Sequence, residues 1–286
     1  MKWNIVAKVL VALLLFMFFL TWVDVFTAFQ TVSVSWSWFF FGLILLIASQ
    51  FLKAVRFGML SNKAGIVRPY FTHFLIHNIV TSFGLVTPGK LGEGGKLFYY
   101  KDADKRALGV CYVLEKLSDS VVFVLFSLFL LTALNFEFLI FVILGLLIIF
   151  IFGIVFLNPL ITTFFPQFDI RILRIFSIGN FLILGGQALL IWLVVFFMQY
   201  LFAFAVGLEV PFFLFAQIMA ASSLLGILSG LPGGVGSREL TLTFLFTTLL
   251  AADKVTIGAF AVANLFGQYT VLGVLAFASH LMLKRR

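Results

Sequence analysis

The sequence predicts an all-α polytopic membrane protein: one membrane domain over 1–286, with six full spans, two re-entrant Pro-Gly hairpins and an inverted internal repeat. Three observations predict it: long apolar windows almost free of charge, a self-match punctuated by Pro-Gly breaks, and the side on which the basic residues fall. Hydrophobic residues make up 63% of the 286 and charged residues 10%. Soluble domains run about 45–50% apolar and about 25% charged, so a soluble globular domain is excluded. No polar stretch is long enough to hold a separate catalytic domain. The single cysteine, Cys111, rules out an internal disulfide. The net charge of +8 reads as topology signals rather than as a nucleic-acid footprint.

Windows of roughly twenty apolar residues mark spans near 5–24, 36–57, 107–132, 138–157, 181–206 and 256–281. The first is longer than a secretory h-region and lacks a small-x-small cleavage site, so it reads as a retained anchor. Windows 70–88 and 211–231 are also apolar, but each runs into a Pro-Gly break.

The chain also matches itself. Gly65-Ile66-Val67-Arg68-Pro69-Tyr70-Phe71 aligns with Gly207-Leu208-Glu209-Val210-Pro211-Phe212-Phe213. Pro88-Gly89-Lys90-Leu91-Gly92 aligns with Pro232-Gly233-Gly234-Val235-Gly236, and Ala103-Asp104-Lys105 with Ala252-Asp253-Lys254. The matches keep their order, which makes halves of about 1–134 and 135–286. Convergent Gly and Pro punctuation at helix ends is the plainer reading of each match alone.

Charge selects the topology. Lys53, Arg56, Lys63 and Arg68 precede the first break; Lys96, Lys101, Lys105 and Arg106 follow it. A single crossing would send one cluster outside, against the positive-inside bias, whereas a re-entrant hairpin keeps both in the cytoplasm. The same choice puts Lys2, Lys8, Arg171, Arg174, Lys284, Arg285 and Arg286 inside. It leaves Asp24, Glu137, Glu209 and Asp253 outside with Lys254. Both termini are expected to be cytoplasmic, and the hairpins to enter from opposite faces of the cell membrane. The first return leg, Leu97 to Ala107, is short and polar, which suits a shallow hairpin.

Irregular backbone at membrane depth is tolerated only under protein or beside a wet cavity. Broken helices in inverted-repeat transporters line substrate sites, where helix N-termini face anions. The hairpins are therefore expected to bind substrate through Pro88, Gly89, Lys90, Gly92 and Glu93, and through Pro232, Gly233, Gly236, Arg238 and Glu239. The glycines would let backbone N–H groups approach a phosphate, with Lys90 and Arg238 supplying charge. Glu115, Lys116 and Asp119 follow the first hairpin; Glu115 and Asp119 are four apart and share a helix face. Asn264 and Gln268 hold the aligned positions of the second half. Both pairs are expected to line the cavity. His73 and His77, also four apart, are candidates for a proton relay, or with Glu115 and Asp119 for a metal site, though none is favoured and no cofactor is expected. The plainer readings are interfacial snorkelling charges and a charge pair locking the hairpin, such as Glu115 with Lys90. The phenylalanines face lipid or fill helix contacts, and Trp22, Trp36 and Trp38 suit an outer aromatic belt.

Three motifs carry a family likeness: Thr87-Pro88-Gly89-Lys90-Leu91-Gly92-Glu93, Glu115-Lys116-x-x-Asp119, and Leu231-Pro232-Gly233-Gly234-Val235-Gly236-Ser237-Arg238-Glu239. The chain resembles the membrane region of lysylphosphatidylglycerol synthases, also described as the flippase-like domain family. The family pattern often has arginine where this chain has Lys90 and Lys116, so charge is kept while bidentate phosphate binding is not. The resemblance implies a flippase or transporter moving an anionic, phosphate-bearing lipid or a lipid-linked sugar between leaflets. It implies anionic membrane lipids as partners, with a separate lipid-modifying enzyme beside them. Some relatives carry a soluble aminoacyl-transfer domain after the membrane region; this sequence ends at Arg286, and it is expected not to make an aminoacyl lipid itself. The alternatives are a non-transporting accessory subunit of a glycosyltransferase or lipid synthase, and a membrane-embedded transferase. The last lacks a nucleophile–base pair in the sequence, so an enzyme is not expected.

Overall fold

A computed structural model of the chain describes residues 2–100, 103–134 and 178–285. They form, in order, α1 (Lys2–Trp22), α2 (Val25–Thr31), α3 (Trp36–Lys63), α4 (Tyr70–Val86), a 3-10 turn (Leu91–Gly95), α5 (Lys96–Tyr99) and α6 (Lys105–Leu134). After these come α7 (Ile178–Ala205), α8 (Phe212–Leu228), α9 (Ser237–Leu250) and α10 (Lys254–Lys284). The windows at 5–24, 36–57, 107–132, 181–206 and 256–281 coincide with α1, α3, α6, α7 and α10. The window at 138–157 lies outside the described residues, as do Lys101, Glu137, Arg171, Arg174, Arg286 and the side chains of Lys2 and Lys8. Among the described residues, α3, α7 and α10 are long and apolar enough to cross a membrane. This is a multi-pass helical membrane protein.

Helix α2 was not expected. Asp24 ends the first window early by capping a new helix: its carboxylate accepts from the Thr27 backbone N–H at 3.3 Å and from Thr27 Oγ1 at 2.6 Å. Asp253 caps α10 in the same way, accepting from the Thr256 N–H at 3.0 Å.

Helices α3 and α7 close with the same turn. Gly65 and Gly207 take φ of 81° and 78°. The Ile66 N–H reaches Ser61 O at 2.8 Å, and the Leu208 N–H reaches Ala203 O at 3.0 Å. These are Schellman-type closures, and Pro69 and Pro211 then open α4 and α8. The two helices run antiparallel. The Ser35 N–H bonds Ala205 O at 2.7 Å at one end, and Lys63 Nζ bonds Asn180 Oδ1 at the other. So α4 and α8 start from opposite ends of the bundle.

Each broken segment then doubles back. Tyr100 Oη returns to within 2.5 Å of His73 Nδ1, in the first turn of α4. Leu250, at the end of α9, shares a surface hollow with Val210, just before α8. The first return leg is only a 3-10 turn and α5; the second is the 14-residue α9. The corners meet. Pro88 and Pro232 form an isolated antiparallel bridge, with the Gly89 N–H on Leu231 O and the Gly233 N–H on Thr87 O, both at 3.4 Å. The halves also exchange partners, α4 packing on α10 and α8 on α6. Ser82 Oγ donates to Leu272 O at 2.9 Å across the first of these contacts.

The corner leaves no room for a side chain on one side. A Cβ on Gly233 would sit 2.5 Å from Leu85 O and 2.7 Å from Tyr269 Oη, at φ 60°. Gly89, at φ 58°, has open space around it. Gly89→Ala is expected to cost about 1–2 kcal/mol from its left-handed backbone alone, and Gly233→Ala distinctly more. Melting temperatures of the two variants in detergent check the order; equal values contradict the close approach.

Candidate functional site: a charged cavity beside the paired corners

The first half of α6 carries its carboxylates inward. Glu115 is 1% exposed and Asp119 7%, and both meet cations from other elements. Arg56 of α3, itself 1% exposed, places Nη1 2.8 Å from Asp119 Oδ1 and Nη2 3.5 Å from Glu115 Oε1. Lys96 Nζ of α5 donates to Glu115 Oε2 at 2.6 Å and lies 4.3 Å above the Phe57 ring. Lys116 pairs with Glu93 in the 3-10 turn and lies 4.0 Å from Asp119. Trp192 Nε1 of α7 donates to Asp119 Oδ1 at 2.8 Å. Five elements are thus tied through three carboxylates.

These groups border a cavity of about 200 Å³. Its wall includes Lys53, His77, Thr81, Gly89, Lys90, Glu93, Tyr112, Glu115, Lys116, Asp119, Ser120 and Trp192. Lys53 Nζ lies 4.8 Å from the Trp192 ring centre. Lys90, at φ 59°, begins the 3-10 turn. Neither lysine forms an ion pair with a described carboxylate. His77 is 3% exposed. Its Nε2 lies 3.1 Å from Gln50 Oε1 and 3.3 Å from Thr81 Oγ1, while Nδ1 has no partner among the described residues.

The sequence-predicted residues divide. Gly89, Lys90, Glu93, Glu115, Lys116, Asp119 and His77 converge on the cavity. Pro88 and Pro232 face each other in the bridge. The glycine N–H groups expected to meet a ligand meet protein instead. Gly89 and Gly233 bond across the corner; Gly92 donates to Thr87 Oγ1 at 2.7 Å, and Gly236 to Glu239 Oε2 at 2.8 Å. The reason is that donors freed by a break at depth must find acceptors in the fold itself. Arg238 pairs with its neighbour, Nε and Nη2 lying 2.8 and 2.7 Å from Glu239 Oε1, so its charge is spent locally. Asn264 and Gln268 bond each other at 2.6 Å, away from the cavity wall. His73 turns to Tyr100 and to Ser61 Oγ at 3.5 Å. The two-His, two-carboxylate grouping does not assemble: among the described residues no three His, Cys, Asp or Glu are placed to share a metal ion. The lock on the hairpin exists, but Lys96 makes it with Glu115, not Lys90.

Sequence reasoning missed Lys53, Arg56, Lys96 and Trp192. It assigned Arg56 and Lys96 to cytoplasmic basic clusters, yet both are 1% exposed and paired with carboxylates. The available signal was spacing. Lys53 and Arg56 are three apart and share a helix face, as Glu93 and Lys96 do.

The profile described as lysylphosphatidylglycerol synthase TM region matches residues 5–276. The chain belongs to this family. The matched range holds every residue of the cavity wall and both corners. Membership in the lysylphosphatidylglycerol synthase TM-region family ties the chain to a membrane lipid-related role. No curated protein and no solved structure matches the chain.

Removing one partner of a buried pair strands the other. Arg56→Met is expected to cost about 3–5 kcal/mol by leaving Asp119 uncompensated, and Arg56→Met with Asp119→Leu to recover part of that. Unfolding of both variants in detergent checks the sign of the coupling; a double variant no more stable than the single one contradicts it.

Proposed function

We propose that the chain is a lipid flippase, moving an anionic, phosphate-bearing lipid or lipid-linked sugar between leaflets. The carrying observation is the polar cavity where Lys53 and Lys90 stand without carboxylate partners, beside two paired corners from opposite ends of the bundle. Ammonium groups so placed are costly within a membrane and mark substrate pathways there. On this reading Lys90 and Lys53 hold phosphate oxygens, and the hydroxyls of Thr81, Tyr112 and Ser120 meet the rest of the headgroup. The acyl or prenyl tails stay in the surrounding lipid.

The architecture supports inverted repeats with six full spans and two re-entrant hairpins. The aligned helices α3 and α7 run antiparallel, and each hairpin returns to the end it left. Such repeats give transporters two related conformations around one midplane site. Charge orients them. One end of the bundle carries Lys63, Arg68, Lys105, Arg106, Lys284 and Arg285, and the other Asp24, Glu209 and Asp253 with Lys254. The positive-inside bias makes the first end cytoplasmic, with both termini there, in the cell membrane.

A hydrogen bond to a charged group contributes about 1.5–3 kcal/mol. Lys90→Ala is therefore expected to slow headgroup translocation in reconstituted vesicles at least about tenfold, with an unchanged elution profile in detergent. Wild-type transport by that variant contradicts the assignment.

A further inference from the structure

The charges around the cavity do not balance. Asp119 is held by Arg56, Glu115 by Lys96 and Arg56, and Glu93 by Lys116. Every described carboxylate of the cluster is matched, and Lys53 and Lys90 remain. They come from different elements, α3 and the first corner, and face the same cavity from separate walls. Lysine is a compact point charge with three donors and little directional demand, so the pair selects by charge more than by shape. A second, independent sign of a ligand is His77. It is 3% exposed, lines the cavity, and keeps Nδ1 without a partner among the described residues.

We infer that the cavity takes a headgroup bearing two negative charges, a phosphate monoester or a diphosphate diester, in preference to one bearing a single charge. The inference rests on the flippase reading. A phosphate monoester carries about −1.5 to −2 at neutral pH, its second proton leaving near pH 6. It neutralises Lys53 and Lys90 together. A simple phosphodiester leaves one ammonium uncompensated, and an aminoacylated headgroup adds a third cation to the two already present. The hydroxyls of Thr81, Tyr112 and Ser120 are donors a phosphate monoester can use, and they add no charge.

Equilibrium binding to the purified chain tests this, with short-chain phosphatidic acid, short-chain phosphatidylglycerol and inorganic phosphate as probes at one ionic strength. At pH 7.5 phosphatidic acid is expected to bind at least about tenfold tighter than phosphatidylglycerol, the preference shrinking at pH 5.5 as the monoester takes up a proton. Lys53→Gln and Lys90→Gln should each bring the ratio close to one, because a single charge then satisfies the cavity. Equal wild-type affinities overturn the inference, as does a preference untouched by either substitution. Inorganic phosphate competing as well as the lipid overturns it in favour of a soluble anion. Vesicle translocation of the same two lipids separates the readings. Phosphatidylglycerol that binds and moves as well as phosphatidic acid removes the two-charge selection and leaves the flippase. Preferential binding of phosphatidic acid, with neither lipid moving, supports the selection and removes the flippase.

Discussion

A backbone that breaks among apolar helices must find its hydrogen-bond partners in the protein, because hydrocarbon offers none. Here the two breaks supply them to each other. Leu231 O takes the Gly89 N–H, and Thr87 O takes the Gly233 N–H. These four residues correspond across the two halves, so one pairing satisfies both. The bonds are long at 3.4 Å, beyond the usual N–H···O range. They fix register more than they contribute energy. That register decides which turn faces α6, how close Leu85 comes to Gly233, and where Lys90 enters the cavity wall.

Symmetry ends at the chemistry. The first half follows its corner with a short 3-10 turn, which brings Glu93 and Lys96 against α6 and leaves a cavity. The second half follows with α9, whose first turn closes on itself: Glu239 accepts from the Gly236 N–H and holds Arg238. Asn264 and Gln268, aligned with Glu115 and Asp119, bond each other. One half therefore presents unmatched cations, while the other seals. A buried ion pair is costly to assemble and more costly to break. This ties α3, α6, α7 and the first hairpin into a unit that resists loss of any one member.

Much of this was legible in the residues. Long uncharged windows located α1, α3, α6, α7 and α10, because span length is set by bilayer thickness. The repeated Gly-Pro and Pro-Gly signals placed both corners, since only a few residue types accept those backbone angles. Glu115, Asp119, Lys90 and Glu93 were found because charge in an apolar stretch is conspicuous. Arg56 and Lys96 were not, for the opposite reason: they sit where positive-inside charges are common, and nothing local distinguishes a buried guanidinium from a solvated one. Trp192 was hidden among abundant aromatic residues. The glycine N–H groups were read as ligand donors because a sequence does not reveal which acceptor lies opposite, and the acceptors came from the other half of the chain.

The meeting of the two corners is tested most directly by a disulfide. Opposed residues of a non-hydrogen-bonded antiparallel pair have Cα atoms about 4.5 Å apart, within disulfide reach. With Cys111 replaced by alanine, Pro88→Cys and Pro232→Cys introduced together should lose both free thiols within one chain on mild oxidation in membranes, as read by mass spectrometry. Two thiols that stay free and independently alkylated under those conditions would mean that the corners do not meet.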